Sequence, residues 1–149
     1  MAFSIKATLQ AIHSHLVASG YATASVGEPK SPPGGVHAAV YMTSVSVLRA
    51  MLDGATEELH VATIRLYRPM LEEPLENMEY LMAEATSQIM ASLLGEFDLG
   101  ASIRNVDATG QNGTPVRADF GYVDLGGVMF RTADITVPMV VDGSVTMAA

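Results

Sequence analysis

The stretch GYVDLGGVMFRTADITVPMVVDG, from Gly121 to Gly143, decides the fold. It reads as a β-hairpin that turns at Gly126-Gly127 and runs into a long strand. Counted from Met129, one face presents Met129, Ala133, Ile135, Val137, Met139 and Val141, and the other presents Phe130, Thr132, Asp134, Thr136 and Pro138. That period of two is the signature of a strand with one face on a core. Pro138 supplies no ladder donor, so it is expected at a sheet edge, a bulge or a subunit boundary, where the strand stops pairing within its own sheet. Apart from scattered carboxylates the stretch holds no group suited to catalysis.

Upstream, Ile5, Leu9, Ile12 and Leu16 recur at helical spacing after Ser4, a capping residue, and Gly20 suits the position just past the helix end. Val36 to Arg49 and Leu59 to Tyr67 are strand candidates joined through Asp53-Gly54, as in an antiparallel pair. A second helix opens with Glu73 near its cap and Pro74 at its first position. It carries an apolar stripe of Leu75, Met78, Met82, Ala85, Ile89 and Leu93, keeps Glu76, Glu79, Ser87 and Gln88 on its wet side, and closes at Gly95. A short strand near Ile103 to Asp107, a loop with turn signals at Asn112-Gly113 and Pro115, and a strand from Val116 to Val123 lead to the hairpin. Val116, Ala118, Phe120 and Tyr122 share a face of that last strand. The order α-β-β-α-β-β-β predicts an α+β domain, a mostly antiparallel sheet with two main helices packed against it. Its 149 residues, 1 to 149, fit a single domain.

Charged residues make up 16% of the chain against about 25% in typical soluble proteins, while 49% are hydrophobic and mean hydropathy is +0.28. No apolar run approaches the roughly 18 residues of a membrane span, so the excess is expected to be buried between subunits. Lys6, Gln10, His13 and His15 interrupt the apolar run a secretion signal would need. With no cysteine, disulfides, thiolate nucleophiles and cysteine-based zinc sites are excluded. Net charge is −8, and Glu72 to Asp98 holds seven carboxylates and no lysine or arginine. The eight basic residues stand singly, which argues against nucleic-acid binding through a basic patch.

Candidate chemistry is sparse. His13 and His15 lie about 200° apart on a helix and cannot share a metal. His37 and His60 lie on different strands and read as satisfied or surface histidines. Glu57-Glu58 and Glu72-Glu73 read as solvated carboxylates or helix-dipole partners. There is no nucleophile elbow and no phosphate-binding glycine loop. The methionines at core spacing (Met78, Met82, Met129, Met139) read as core filling rather than a pliable groove. Neither catalysis nor a cofactor or metal is expected.

In their order and spacing, LYRPMLEEP (Leu66 to Pro74) and GYVDLGGVMFRTADITVPMVV (Gly121 to Val141) resemble the tail terminator, or tail completion, proteins of long-tailed (siphovirus-type) bacteriophages, especially those of actinobacterial hosts. The likeness covers nearly the whole chain. It includes the opening helix, the loop Glu28-Pro29-Lys30-Ser31-Pro32-Pro33-Gly34, and IRNVD (Ile103 to Asp107) before a glycine-rich turn. The chain departs from the family at DGSVTMAA, which lacks an aromatic shortly after the last strand.

The resemblance implies a structural virion protein at the neck of the phage tail, assembled in the host bacterial cytoplasm. Six copies would form a ring that caps the head-proximal end of the tail tube, ends tube polymerisation and docks the head connector. The implied partners are copies of itself, the tail tube protein and the head-tail connector or stopper protein, with no membrane; double-stranded DNA passes through without specific binding. Six copies at −8 each carry −48, which suits a channel that repels phosphate. Asp107, Asp119 and Asp134 are the expected lumen-facing acids. Ring contacts between unlike patches need two surfaces per subunit. They are expected at the Glu28–Gly35 and Asp107–Pro115 loops, through Glu28, Lys30, Pro32, Pro33, Asp107, Gln111 and Asn112, and at Pro138. The alternatives are another neck or tube component such as a head-completion protein, or a small oligomeric enzyme or ligand-binding domain in which Arg65, Arg104, Arg117 or Arg131 binds an anion in an intersubunit pocket.

Overall fold

A computed structural model describes residues 5–21, 24–27, 36–70, 74–95, 103 and 105–144. Along the chain run α1 (Ile5–Ala18), β1 (Ser25–Val26), β2 (His37–Ala50), β3 (Ala55–Pro69), α2 (Leu75–Gly95), β4 (Asn105–Val106), β5 (Arg117–Leu125) and β6 (Val128–Ser144). This is the expected α+β arrangement with the two-residue β1 added. The six strands form one mixed sheet in the order β1-β2-β3-β6-β4, with β5 also beside β6. Only β1 and β2 pair in parallel; the other described pairs are antiparallel.

The end of α1 and the start of α2 follow from local chemistry. Past α1, Tyr21 N donates to Leu16 O (3.0 Å) and Gly20 N to Val17 O (3.2 Å), with Gly20 at φ 105°. These are the paired bonds of a Schellman cap, and the positive φ is why glycine stands there. Pro74 lies just before α2 rather than in its first position, and its carbonyl accepts the first helical bond, from Met78 N at 2.9 Å. The expected stripe is buried at Met78, Met82, Ala85, Ile89 and Leu93, while Glu76, Glu79, Ser87 and Gln88 are exposed. Both helices lie on one face of the sheet, against Ala38 and Val40 of β2, Ala62, Ile64 and Leu66 of β3, and Ala133, Ile135, Val137, Met139 and Val141 of β6. Among the described residues, no helix is long and apolar enough to cross a membrane.

The spine is the β3·β6 ladder, unbroken from Ala55↔Ser144 to Pro69↔Phe130. Along its other side β6 meets β5 over Val128–Thr136 and then β4 at Met139–Val140. Pro138 sits inside this ladder, buried and opposite Val61, so the strand does not stop pairing there, contrary to the sequence expectation. Its carbonyl accepts from Asp107 N at 2.9 Å. A strand residue's N and O point to the same side, so the missing N–H faces the changeover from β5 to β4, where the lost donor disrupts least. Pro138 is thus placed within its own subunit rather than at a boundary.

The core face of β6 also ends earlier than its alternation suggests. Met129 is about half exposed, because the hairpin runs past the cover of the helices. At the same end, on the opposite face, Ala39, Tyr67 and Phe130 form a second buried cluster flanked by Val123 and Leu125. Tyr67 and Phe130 meet edge to face at 6.2 Å.

Candidate functional site

β3 carries polar chemistry on both of its faces. On the helix face, Thr56, Glu58 and His60 occupy alternate positions and lie on the same side as Ala62 and Ile64. Thr56 Oγ1 donates to Glu58 Oε2 (2.8 Å), Glu58 Oε1 lies 3.2 Å from His60 Nε2, and His60 Nδ1 shares a hydrogen bond with Thr8 Oγ1 of α1 (3.0 Å). Glu58 and His60 have no exposed surface and Thr8 almost none. A hydroxyl, an imidazole and a carboxylate in series have the order of a nucleophile relay. With every member sealed from solvent, the series ties α1 to the sheet instead of meeting a substrate. Glu58 is therefore not the solvated carboxylate expected of the Glu57-Glu58 pair.

The remaining histidines serve as structural partners. His13 Nε2 bonds Ala24 O (2.9 Å), and His15 Nε2 bonds Ser92 Oγ of α2 (2.7 Å). His37 is buried on the opposite face, with Nε2 3.1 Å from Ser25 Oγ, and burial lowers its pKa below the ordinary value. His37 and His60 are thus separated by the sheet. Among the described residues, no group of three metal-ligating side chains comes together.

On the face away from the helices, β5 and β6 place Asp119 directly opposite Asp134. Each is matched with an arginine. Arg65 grips Asp134 through two bonds, Nε to Oδ1 at 2.6 Å and Nη2 to Oδ2 at 3.0 Å, and that hydrogen bonding raises the guanidinium pKa above its usual range. Arg117 Nη2 donates to Asp119 Oδ1 at 2.8 Å in a pair more than half exposed. Two of the expected lumen acids are therefore charge-compensated on this face.

The third, Asp107, is not a lumen acid: it is buried. Its carboxylate accepts from Gln111 N (3.0 Å), Asn112 N (2.9 Å) and Asn112 Nδ2 (3.1 Å), which folds the 107–115 loop back on itself. Gly110, at φ 77°, is pressed so close to Pro115 that a Cβ there would lie 2.8 Å from Pro115 N. Gln111 and Asn112 remain exposed at the loop tip. Glu28, Lys30, Pro32 and Pro33, with the rest of that expected contact loop, lie outside the described residues, as does Arg104.

The three described arginines of the anion-pocket alternative are each held by a carboxylate. Arg65 and Arg117 are held as above, and Arg131 is clamped on the helix face. It pairs with Glu79 of α2 (Nε···Oε1 2.7 Å, Nη2···Oε2 3.1 Å), donates from Nη1 to Gly121 O (3.1 Å), and lies over the rings of Tyr122 (4.6 Å) and Phe120 (5.6 Å). Around this clamp Phe120, Tyr122, Val128 and Met129 remain exposed. At the far end of the sheet Val47, Met51 and Leu52, the last 95% exposed, cap the β2–β3 hairpin. Sequence alternation gave the strands carrying these patches but not their exposure, which depends on how far the helices reach.

No family model matches the sequence, and no curated protein matches it either. One solved structure spans 99% of this chain and 99% of its own at 16% identity, with a TM-score of 0.45, too loose a likeness to bear on fold or role.

Proposed function

We propose that this chain is a ring-forming structural subunit, six copies of which cap the head-proximal end of a phage tail tube, stop its growth, dock the head connector and let DNA through. The observation that carries this reading is the placement of exposed apolar side chains. Val47, Met51 and Leu52 sit at one end of the sheet and Phe120, Tyr122, Val128 and Met129 at the other, on a chain with only 16% charged residues. Two unlike apolar patches at opposite ends of the strands suit a subunit of such a ring that meets a different partner at each end, the tube on one side and the connector on the other. The ordered sequence likeness to tail terminators supplies the biological setting. The surface acids Glu76 and Glu84, exposed on α2, add to a net charge of −8 that disfavours retention of DNA.

Electron microscopy of the purified protein tests the reading. Rings of six with a central hole wide enough for duplex DNA are expected. Compact dimers or trimers, or monomers at every concentration, would overturn it.

A further inference from the structure

The two edges of the sheet sit at one height. Strand register links Ser25 to Ala39, Arg65, Asp134 and Asp119 in turn, and the next row links Val26 to Val40, Ile64, Ile135 and Ala118. These rows cross the whole sheet from β1 to β5. The strand directions also match: β1 runs with β2, and β2, β3, β6 and β5 alternate, so β1 and β5 point in opposite directions. A second copy set beside the first in the same orientation therefore brings its β1 antiparallel to β5 with no shift along the strands. Repetition about an axis parallel to the strands without a shift can close a ring where the rotation divides a full turn, whereas a shift at each step would wind a filament.

Both edges have backbone groups to offer. Gly126 and Gly127, at φ 63° and 86°, form a two-residue turn that makes Leu125 and Val128 a hydrogen-bonded pair. By alternation Ala118, Phe120, Tyr122 and Asp124 then turn their N–H and C=O groups away from β6. Among the described residues, none bonds those groups. On the other edge, Gly27 N donates to Val40 O (2.7 Å), so the neighbouring Val26 turns its own backbone outward, and its side chain is 53% exposed. Val26 and Ala118 lie on the same face of the sheet, with Phe120 alongside, so the added strand would meet apolar side chains with an apolar one. β5 has no proline and no register slip, two of the guards of an edge; its charged residues Arg117, Asp119 and Asp124 leave Ala118, Phe120 and Tyr122 between them. β2 beyond β1 slips register between Met42 and Ser44 and again between Val47 and Arg49.

We propose that β5 of one copy receives the β1 edge of the next copy as an added antiparallel strand, Val26 opposite Ala118, and that this strand addition is the head-to-tail contact of the ring. The proposal rests on the ring reading above. The chain's lack of cysteine makes its test direct. A hydrogen-bonded antiparallel pair holds its Cα atoms about 5.5 Å apart, within the span a disulfide bridges. Under mild oxidation the double variant Val26→Cys/Ala118→Cys should give a ladder of covalent oligomers ending at the ring's copy number, and either single variant only monomer.

Gly121→Cys serves as the control for the rival geometry, two β5 edges paired about their centre. A Cβ there lies 3.6 Å from Thr132 Oγ1, ordinary contact, so the variant should fold. Disulfide dimers of Gly121→Cys would overturn the proposal. Rings of wild-type protein seen by light scattering and microscopy, with no ladder from the folded double variant, would overturn the edge contact and leave the ring standing. Absence of any wild-type assembly would remove the ring reading, and the edge contact with it.

Discussion

The helix face of β3 and the face behind it hold similar chemistry, a carboxylate beside a basic side chain, under opposite conditions of solvent access. Glu58 with His60 has no exposed surface; Asp134 with Arg65 is about a third exposed; Asp119 with Arg117 is more than half exposed. Geometry alone would rank the Arg65–Asp134 fork strongest, because its two short bonds are charge-assisted. Burial reverses that ranking for mutations that remove one partner, since the group left behind can be rehydrated only where water reaches it.

The largest effect is therefore expected at His60. His60→Ala leaves the buried Glu58 carboxylate without its imidazole and breaks the bond from the sheet to Thr8 of α1, at a cost of about 3–5 kcal/mol of unfolding free energy in urea titrations. A loss below about 1 kcal/mol would show that the helix-face series does not hold α1 to the sheet. The double variant Glu58→Met/His60→Leu sharpens the point. It removes both polar groups at similar volume and should recover part of the loss, because no buried carboxylate is stranded, while Thr56 still loses its acceptor.

Asp107 is the next test of burial. Asp107→Ala removes three accepted hydrogen bonds but frees amides in a loop whose tip is wet, so about 1–3 kcal/mol is expected. Amide exchange at Gln111 and Asn112 should quicken well beyond the change elsewhere. Equal quickening across the sheet would instead mean that Asp107 supports the whole core.

How these sites could be read from sequence differs in the same way. The alternation of β6 and the stripe of α2 are repeated patterns, and the fold class follows from them. A strand starting at Leu59 leaves Glu58 outside it and solvated, whereas the strand begins at Ala55. Extending the alternation back from Ala62 through His60 to Glu58 and Thr56 would have put all three on the core side. Pro138 differs for another reason: a proline's tolerance depends on which neighbour its nitrogen faces, and β6 changes neighbour there only in three dimensions. The burial of Asp107 depends on bonds to residues four and five positions on, which the turn-forming DATGQNGTP signals in type but not in partner. Pairing of Asp119 and Asp134 with arginines requires the register across β3, β6 and β5, which a single sequence does not fix.

On the half-open face, Asp134→Asn should cost about 1–2 kcal/mol, less than His60→Ala despite the better geometry. A larger loss would mean that the face is drier in the assembled protein than in the single chain. His37 probes the same face through pH. Its pKa is lowered in the folded state, so the unfolded chain binds the extra proton first as pH falls below about 6.5. Stability tied to His37 is complete above that value and falls as pH drops toward the folded pKa. Thermal midpoints measured between pH 7 and 5 should decline more steeply for wild type than for His37→Gln, and parallel curves would count against the burial of an uncharged ring.

The smallest stability effect, and the most informative about function, belongs to the exposed pair. Neither Asp119→Asn nor Arg117→Gln should move the thermal midpoint beyond measurement error, because an exposed ion pair contributes little. They differ in the charge they leave behind. Asp119→Asn strips the partner from Arg117 and adds one positive charge per copy, whereas Arg117→Gln adds one negative charge. If this face of the sheet lines the channel of the proposed ring, virions carrying Asp119→Asn should eject DNA more slowly, with the defect shrinking as salt screens the phosphates, while Arg117→Gln virions eject normally. Equal ejection by both would place the face away from the DNA without disturbing the ring itself. Lumen position and stability would then be read from separate measurements on the same two residues.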